Sequence, residues 1–494
     1  MRGADELRLA ADALPAAARS LHEGGGKMQM AYAWFPDTGR AEVCYLAAPG
    51  AGRPFQLWRV SEAGALPSLS DCWPLLSWYE RETHDLCGIE FAGHPEPLPL
   101  VLHEGAAPVA PPLSPEYPRA AAVDYSPQPP AIPKVLGPDV QELPWGPVVA
   151  DVVESSQQIF FYLGEHILHH RPRLFFKHRG MEKRFQGVDP MLGMVLAERV
   201  SGVGSASHAL AYCQAVEAAA GVQVPPRAAW LRCLLVELER LYNHLHYFGM
   251  LAEATTLKVG GAEGKLLEER LKQVNGRLTG SRFLRNLLCP GGLRRDLEIP
   301  YDFVRMLSGV QREASDYLDN LERTHSYLDR LLTTGVLPRQ IAFDQGATGP
   351  VERASDLRRD LRRDHPYAAY DELDFEVPTR TAGDANARAE VRAEEIVASF
   401  ALVFHLVTRL PEGSVRTDCR PEPGSEGLGW CENPRGALFY ALHVGADGRL
   451  ARVKIKSPSF SNWRVFPYTV HDTNMMDFAI NQASFGMTVA GCDR

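Results

Sequence analysis

At 494 residues the chain is longer than a typical single domain, so its length predicts two domains. Its 45% hydrophobic and 23% charged residues are those of an ordinary globular protein. A net charge of −9, without a basic stripe, argues against nucleic-acid binding. Nine scattered cysteines, never spaced C-x-x-C, argue against a disulfide scaffold and a self-contained zinc or iron–sulfur site. No secretory signal is recognisable, and the longest apolar run, Ile396–Leu410, is too short to span a bilayer, so we expect a cytoplasmic chain.

The N-terminal part of the sequence predicts a small α+β domain. Hydrophobic residues alternate between Gln29 and Val60, which indicates β-strands, and Pro36–Gly39 supplies a turn between two of them. The segment Trp73–Glu82 indicates a helix. The domain is expected to span residues 1–107.

A proline-rich stretch follows, and we place the domain boundary there. Eleven prolines lie between Pro108 and Pro144. So many fixed φ angles and missing N–H donors are expected to exclude regular structure, which predicts an extended linker over residues 108–144.

The remainder of the chain, residues 145–494, is expected to be mainly helical. After a β-like lead over Val148–Phe161, the predicted helices cover Ala206–Ala220, a segment starting at Pro225-Pro226, a segment from Phe303 to Gly335, and Ala387–Leu410. Their apolar residues recur every three to four positions, which favours a helical bundle. A β pattern returns between Ala437 and Ile455, with a hairpin turn at Ala446-Asp447-Gly448.

Several local patterns have ordinary explanations. Gly260–Lys265 resembles a phosphate loop but lacks the glycine and hydroxyl residue that a Walker motif needs at 259 and 266. The repeat Asp356–Asp364, DLRRDLRRD, favours a solvated charged helix face. Cys492 has no dedicated base beside it, which favours an inert buried thiol over a nucleophile.

Ordered blocks in both parts of the chain resemble one superfamily. The N-terminal part contains Glu80-Arg81-Glu82, Asp85–Ile89 and Gly93-His94-Pro95. The second part contains His178–Lys183, Glu198–Glu217, Glu237–His244, Pro290–Gly292, Arg353–Ser355, Asp360–Tyr370, Pro434–Gly436 and Lys456–Phe460. Together they resemble the large subunits of membrane-bound, energy-converting nickel–iron hydrogenases, formate hydrogenlyase included, and of complex I. The N-terminal blocks are similar to the 30-kDa subunit of complex I, fused here as in C/D-type NADH-quinone oxidoreductases, although an expected Asp-Leu-Arg-Arg run is Glu96–Pro99.

The resemblance implies an α+β fold in which a 30-kDa-like domain and a linker precede a helical-bundle domain with peripheral β-structure. In the hydrogenases, nickel is held by four thiolates from the motifs R-x-C-G-x-C and D-P-C-x-x-C. The four matching positions here are Ser201, Gly204, Thr488 and Gly491. Because hydroxyls and glycines cannot replace soft sulfur ligands, we expect no nickel and no H₂ chemistry in this subunit.

Quinone chemistry, the complex I alternative, is weakened in the same way. A histidine of the H-x-x-H-G loop offers a hydrogen bond to the quinone in complex I, and the resemblance places Val149 at that position. Valine can line a pocket but cannot pass a proton. A quinone-like acceptor in the vacated cavity is left open.

A charged frame around the lost ligands is retained. Its members are His178, Arg179, Glu182, Arg199, Arg353, Asp364 and Arg494. In relatives the glutamate matching Glu182 lies on a proton path, and burial beside arginine can move a carboxyl pKa in either direction. The alternative is that these ions only hold the vacated site together.

We therefore expect a subunit of a membrane-associated complex that couples electron transfer to proton or ion translocation. The alternatives are a structural or assembly subunit with an inert former active site and, third, a formate hydrogenlyase-type hydrogenase subunit. The resemblance implies as partners a small iron–sulfur subunit, of the complex I B type, together with antiporter-like and anchor membrane subunits. It implies a peripheral position on the inner face of the cell membrane, an iron–sulfur cluster in the partner, and no cofactor in this chain.

Overall fold

The computed structural model describes residues 1–36, 40–61, 64–118, 121–126, 128–130, 132, 135–149 and 154–494. The turn predicted at Pro36–Gly39 lies largely outside these residues.

The N-terminal part is a four-stranded sheet with two helices. Its elements are β1 (Ala4–Arg8), α1 (Leu14–Glu23), β2 (Lys27–Trp34), β3 (Glu42–Ala48), β4 (Phe55–Ser61), β5 (Leu66–Pro67), α2 (Leu76–Cys87), β6 (Phe91–Ala92) and β7 (Ala106–Ala107). The strand order is β1-β4-β3-β2, with β1 parallel to β4 and the other pairs antiparallel. Every residue of β3 is buried, so the sheet is covered on both faces. The predicted strands and helix are confirmed.

The predicted linker contains short strands. These are β8 (Asp124–Tyr125), paired with β7, and β9 (Gln141–Trp145), followed by β10 (Gln157–Leu163) and β11 (His166–Arg173). The expectation that prolines exclude regular structure is therefore wrong here. Pro144 lies in β9, an edge strand, where a missing N–H can face away from the ladder. The domain boundaries at 107 and 144 stay a prediction.

The middle of the chain is helical. It comprises α3 (Met181–Phe185), α4 (Met194–Ala197), α5 (Ser205–Ala220), α6 (Pro226–Ala254), α7 (Lys258–Thr279), β12 (Leu288–Cys289), β13 (Gly292–Leu293), α8 (Phe303–Glu322), α9 (His325–Leu331), α10 (Arg339–Asp344), α11 (Pro350–Arg353), α12 (Leu361–Asp364) and α13 (Ala385–Thr408). The long helix α6 is buried along nearly its whole length because α7 and α13 pack against it. The helix predicted from Phe303 to Gly335 is two helices, α8 and α9.

Helix α7 has no counterpart among the predicted helices, and its glycines explain why. A Cβ added to Gly264 would lie 2.6 Å from Cα of Gly249 in α6. The glycine-rich stretch that resembles a phosphate loop is thus the contact at which two helix backbones meet. Close packing, and not ligand binding, accounts for it.

The C-terminal part returns to β-structure and then to short helices. It comprises β14 (Glu426–Asn433), β15 (Gly436–Val444), β16 (Leu450–Lys456), α14 (Pro458–Val465), β17 (Thr473–Asn474), α15 (Phe478–Phe485) and α16 (Val489–Asp493). The first three strands form an antiparallel sheet, β14-β15-β16, and β17 extends the sheet of β9, β10 and β11. Strand β14, absent from the prediction, packs on α5. The hairpin at Ala446–Gly448 is confirmed.

The N-terminal and C-terminal sheets meet along strands β2 and β16. Arg452 Nε in β16 donates to the carbonyl oxygen of Ala33 in β2 at 3.2 Å. One continuous hydrophobic core runs through both parts of the chain. The expected α+β class is confirmed, with helices around α6 and sheets at their periphery. Within the ranges given above, none of the helices combines the length and hydropathy that crossing a membrane requires.

Candidate functional site

The two segments that match the nickel-ligand motifs, one around Ser201 and the other around Gly491, lie side by side and are joined by Arg179. Its Nη2 donates to the carbonyl oxygen of Val200 at 2.7 Å and to that of Ala490 at 2.8 Å. These residues immediately precede Ser201 and Gly491. The predicted ligand positions on α5 and α16 therefore converge at one place in the fold.

The residues at this place do not fit a nickel ion. A Cβ at position 204 would lie 2.6 Å from Nδ2 of Asn433, and one at position 491 would lie 2.5 Å from Oγ1 of Thr488. Oγ1 of Thr488 itself accepts the N–H of Gly491 at 3.1 Å and so caps α16. Side chains of the neighbours fill the space that two cysteines would need, and the remaining donors are hydroxyls. In the part of the chain that the structure describes, no group of three His, Cys, Asp or Glu side chains is arranged to hold a metal.

Arg435, in the turn between β14 and β15, is a partly buried cation that contacts the chain just before α16. Its Nη1 donates to Oδ1 of Asn243 at 2.7 Å and its Nε to the carbonyl oxygen of Gly486 at 2.7 Å. Burial lowers the pKa of its guanidinium to about 10, and it stays charged at neutral pH. The sequence comparison included Arg435 in a matching block but not among the site residues.

Glu182, at the start of α3, is the centre of a buried ion cluster. Its Oε2 accepts Arg452 Nη1 at 2.7 Å, and its Oε1 lies 3.2 Å from both Lys454 Nζ and Arg494 Nη1. A second carboxylate, Glu82 of α2, accepts Lys454 Nζ and Arg494 Nη2, each at 2.5 Å. We call these five residues the Glu182 cluster. Its three cations and two carboxylates join α2, α3, β16 and the C-terminal residue.

The electrostatics of the Glu182 cluster keep its central carboxylate ionised. Burial alone would raise the pKa of Glu182, but Lys454, Arg452 and Arg494 together outweigh it and hold that pKa well below its usual range. The carboxylates of Glu82 and Glu182 in turn raise the pKa of Arg494, although burial alone would lower it. In this arrangement Glu182 is a fixed anion that holds three cations in place.

A carboxyl group with a strongly raised pKa and a histidine lie beside this cluster. The carboxyl group of Asp493 is fully buried, and burial raises its pKa to about 7. Its Oδ2 accepts the backbone N–H of Lys177 at 2.9 Å, whereas its Oδ1 has no hydrogen-bond partner among the described residues. His178 Nδ1 donates to the backbone carbonyl of Asp493 at 2.7 Å, and burial lowers the pKa of that imidazole. The imidazole of His178 is thus held against the backbone of Asp493, the residue that carries the buried acid next to Arg494.

The structure divides the predicted charged frame between two places and the surface. His178, Arg179, Glu182 and Arg494 lie close together, and the backbone N–H of Arg179 donates to the carbonyl oxygen of Arg494 at 3.0 Å. The side chain of Arg199 is 55% exposed and contacts the carbonyl oxygen of Val195 at 2.8 Å. Arg353 and Asp364 lie elsewhere, at a second buried cluster.

That second cluster fills the space between α6, α11, α12, α13 and β14. Arg353 pairs with Glu395 at 2.5 Å and with Glu432 at 3.0 Å. Further ion pairs link Glu237, Arg240, Asp360 and Arg362 to the same cluster, and His244 makes a hydrogen bond to Glu395 at 2.8 Å. Burial and the nearby carboxylate of Asp360 raise the pKa of Glu432 to about 7. The expectation of a solvated charged face over Asp356–Asp364 is wrong for Asp360 and Arg362, which are buried because α12 is inserted among these partners.

Sequence reasoning missed three members of the Glu182 cluster as site residues: Glu82, Arg452 and Lys454. A signal for two of them exists in β16, where positions 452, 454 and 456 carry cations between apolar residues. Because strand side chains alternate between faces, these three cations share one face. For Glu82 the only signal was the resemblance block around α2.

Val149, at the position of the lost quinone histidine, is partly buried, and the next described residue is Glu154. The carboxylate of Glu154 accepts the N–H groups of Val489 and Ala490, the latter at 2.8 Å. It is therefore held at the start of α16, beside Gly491. A quinone contact at Val149 stays a prediction.

Together, the fold and the sequence define a hydrogenase-type large subunit without the nickel-ligand cysteines. Comparison with known proteins agrees. The family model of the 49-kDa subunit of respiratory-chain NADH dehydrogenase matches residues 267–427 and 417–494, that of the 30-kDa subunit matches residues 7–123, and that of nickel-dependent hydrogenase matches residues 179–254.

Individual relatives cover most of the chain. Formate hydrogenlyase subunit 5 of Escherichia coli (strain K12) is 30% identical over 427 residues, which span 83% of this chain and 74% of that protein. A C/D-type NADH-quinone oxidoreductase subunit of Cereibacter sphaeroides is 27% identical over 491 residues, 88% of this chain and 83% of the relative. A D-type subunit of the same kind of enzyme from Salinispora tropica is 35% identical over 312 residues, 60% of this chain and 79% of the relative. The chain belongs to the family of large subunits shared by nickel-dependent hydrogenases and respiratory NADH dehydrogenases, with a 30-kDa-type segment at its N-terminal side.

Proposed function

We propose that this chain is the large subunit of a membrane-associated oxidoreductase complex and that it couples electron transfer in a partner to proton movement. The observation that supports the proposal is the buried Glu182 cluster beside a site that lacks the nickel-ligand cysteines. Burying five ionic side chains is costly unless they are paired and used, and an inert site could be filled with apolar side chains at no loss of stability.

The proton-carrying groups in this proposal are Asp493 and His178, with Glu182 as the electrostatic anchor. Asp493 titrates near neutral pH and lies next to Arg494, whose charge is balanced by Glu182 and Glu82. A negative charge arriving on a nearby partner cofactor would favour the protonated form of Asp493, and its departure would favour release. Proton uptake and release then follow the redox state without any metal in this chain. A direct relay role for Glu182 requires that its cations first move away, and it too is a proposal.

The cofactor and partner assignments follow from the family. We propose a small iron–sulfur subunit as the electron carrier and membrane subunits that hold the complex on the inner face of the cell membrane. What supports the proposal is that the relatives are, by name, subunits of formate hydrogenlyase and of NADH-quinone oxidoreductase. A quinone-like acceptor is proposed for the space between Val149 and α16. Nickel is not proposed, because the residues present do not fit it.

The test compares Asp493→Asn with Glu182→Gln in the purified complex, with electron-transfer rate and proton uptake measured from pH 5.5 to 8.5. Asparagine keeps the shape of Asp493 but cannot exchange a proton, so proton uptake per electron should fall while the complex still assembles. Arg199→Gln, which changes a largely exposed side chain, is the control for assembly. Unchanged proton uptake in both variants would refute the proposal.

A second candidate is a structural subunit with a closed former active site. The observation that favours it is the filling of positions 204 and 491 by Asn433 and Thr488. In that case Asp493→Asn and Glu182→Gln would change the stability of the complex but leave its proton uptake per electron and its pH profile unaltered.

A further inference from the structure

The third cation of β16, Lys456, differs from the other two in having no ion-pair partner. Arg452 and Lys454 pair with Glu182 and Glu82, and all three side chains are almost fully buried. Lys456 Nζ donates to Oε1 of Gln29 at 2.8 Å and lies 5.1 Å from the ring centre of Phe439. No carboxylate of the described residues pairs with it. A buried ammonium without a counter-ion is costly, which favours the neutral amine.

The surroundings of Lys456 include charges from three further elements. On β2 lies Lys27, whose Nζ pairs with Glu352 of α11 at 2.8 Å and donates to the carbonyl oxygen of Ala347 at 2.6 Å. On β14 lies Glu432. Burial and the charge of Lys27 lower the pKa of Lys456 to about 7, against the opposing effects of Glu352 and Glu432. The amine therefore binds and releases a proton near neutral pH.

A cavity of about 60 Å³ is lined by Gln29, the hydrogen-bond partner of Lys456, while Lys456 itself lies behind Gln29 and does not line it. The exposed residues Gly25 and Ala51 form its mouth, and Lys27, Gln29, Glu352 and Glu432 line its interior. A cavity needs about 15 Å³ to admit a water molecule, so this one is large enough to hold water. Its walls are polar, and such waters would have the partners they require.

The cavity also contains acidic groups that exchange protons near neutral pH. Asp364 lines it close to the mouth, and burial raises the pKa of that carboxyl to about 6. Glu432, deeper inside, has a pKa of about 7. The sequence comparison placed Asp364 in the frame of the lost metal site. Its position at the cavity mouth gives it a different role.

We propose that this cavity is a proton inlet, in which water passes protons from the surface beside Asp364 to Lys456, which passes them on to the carboxylate of Glu82 in the Glu182 cluster. The inlet rests on the proposed function, because it supplies the protons that Asp493 exchanges. In the first transfer a hydronium or a carboxylic acid loses one proton as its O–H bond breaks, and one N–H bond forms on Nζ of Lys456. In the second transfer that N–H bond breaks and one O–H bond forms on Glu82.

The last step of the inlet is short. Lys456 and Lys454 occupy the same face of β16, and side chains two residues apart in a strand are separated by about 7 Å. The flexible butyl stem of Lys456, or one ordered water, spans the distance to Lys454 and Glu82. Protons thus approach the cluster from the junction of the two sheets, away from the converging α5 and α16 segments.

The test uses the intact complex in vesicles, with a pH-sensitive dye reporting proton uptake during electron transfer. Lys456→Met should reduce proton uptake at least about tenfold, a value below the usual contribution of a proton-transfer group. Lys456→Arg should reduce proton uptake to a similar extent, because arginine does not release its proton. Lys456→His should recover part of the rate of proton uptake, with a shifted pH profile. Rescue by arginine would overturn the proposal, since it would show that only a positive charge is needed. The matched control is Lys265→Met, which removes a half-exposed lysine of α7.

A second variant covers the case in which Lys456→Met fails to assemble. Asp364→Asn, at the cavity mouth, should slow proton uptake most strongly above pH 6, where Asp364 in the unaltered protein is ionised and can capture protons. Normal proton uptake in Asp364→Asn and in Lys456→His would overturn the inlet. If Asp493→Asn still abolishes uptake in that case, the proposed function stands without the inlet. If no variant at either place alters uptake, both proposals are refuted.

Discussion

Glu182→Gln is the variant whose effect can be calculated most directly from the structure. Glutamine keeps the size of the side chain and can still accept the backbone N–H of Ile455, which lies 3.2 Å from Oε1. The variant removes one of two negative charges that face Arg452, Lys454 and Arg494. Breaking a buried ion pair by removing one partner costs about 3–5 kcal/mol, and we expect a loss of this size in the free energy of unfolding.

The matched control is Glu313→Gln. Glu313 pairs with Arg270, and both side chains are close to half exposed. An exposed pair of this kind is worth about 0–1 kcal/mol, so the control should unfold almost as the unaltered chain does. Urea unfolding followed by fluorescence of the eight tryptophans measures both variants. A loss for Glu182→Gln no larger than that for Glu313→Gln would refute the description of the cluster.

The pH dependence provides a second check on the same variant. The pKa of Glu182 is lowered on folding, so its contribution to stability is present above the pKa of the unfolded chain, near 4.5, and decreases as the pH falls through the folded pKa. The difference in free energy of unfolding between the unaltered protein and Glu182→Gln should be constant above pH 5 and shrink below it.

A double variant provides a further check. Arg452→Met in the Glu182→Gln background should restore part of the lost free energy of unfolding, because it removes an uncompensated charge.

Three further predictions follow from other parts of the structure. The unaltered protein should lose stability as the pH rises from about 4 to 7, because the raised pKa of Asp493 makes the folded protein keep a proton that the unfolded chain has already lost. Asp493→Asn should remove this loss, and unfolding midpoints measured across the range test it. Gly264→Ala should destabilise the chain by about 1–3 kcal/mol because its Cβ would meet Gly249. Gly309→Ala in α8 should stabilise the chain by about 0.5–1 kcal/mol, because no atom lies within 4 Å of the added carbon. Thermal unfolding distinguishes the two variants. Metal analysis of the purified complex should find iron without stoichiometric nickel, and nickel at one ion per copy of this chain would contradict the ligand argument.

Local patterns predicted the long helices well because each carries its own signals. The helix predicted at Ala206–Ala220 is α5, Ser205–Ala220, and Pro226 begins α6 where the sequence places a first-turn proline. Alternation of apolar residues likewise predicted the strands β2 to β4 and the hairpin of β15 and β16. In each case the signal lies within a few residues of the element it defines.

The errors share one physical cause, which is that the environment of these segments is set by distant partners. DLRRDLRRD carries the pattern of a solvated face, yet Arg362 is buried because Glu237, 125 positions away, neutralises it at 3.0 Å. The glycines of α7 resemble a phosphate loop in the sequence, but in the fold Gly264 packs against Gly249 of α6. Strand β9 tolerates Pro144 only because it forms the edge of its sheet.

The sequence by itself determined which ligands are replaced: positions 201, 204, 488 and 491 carry Ser, Gly, Thr and Gly where the hydrogenase motifs have cysteine. It also determined the family, through blocks that match in order. Only the tertiary structure decided how the remaining charges are grouped, because ion pairs such as Glu182 with Arg452 and Glu82 with Arg494 join residues hundreds of positions apart. It alone separated Arg353 and Asp364 from Glu182, and it placed the unpaired Lys456 beside a cavity, since burial and partner distance are properties of the folded chain.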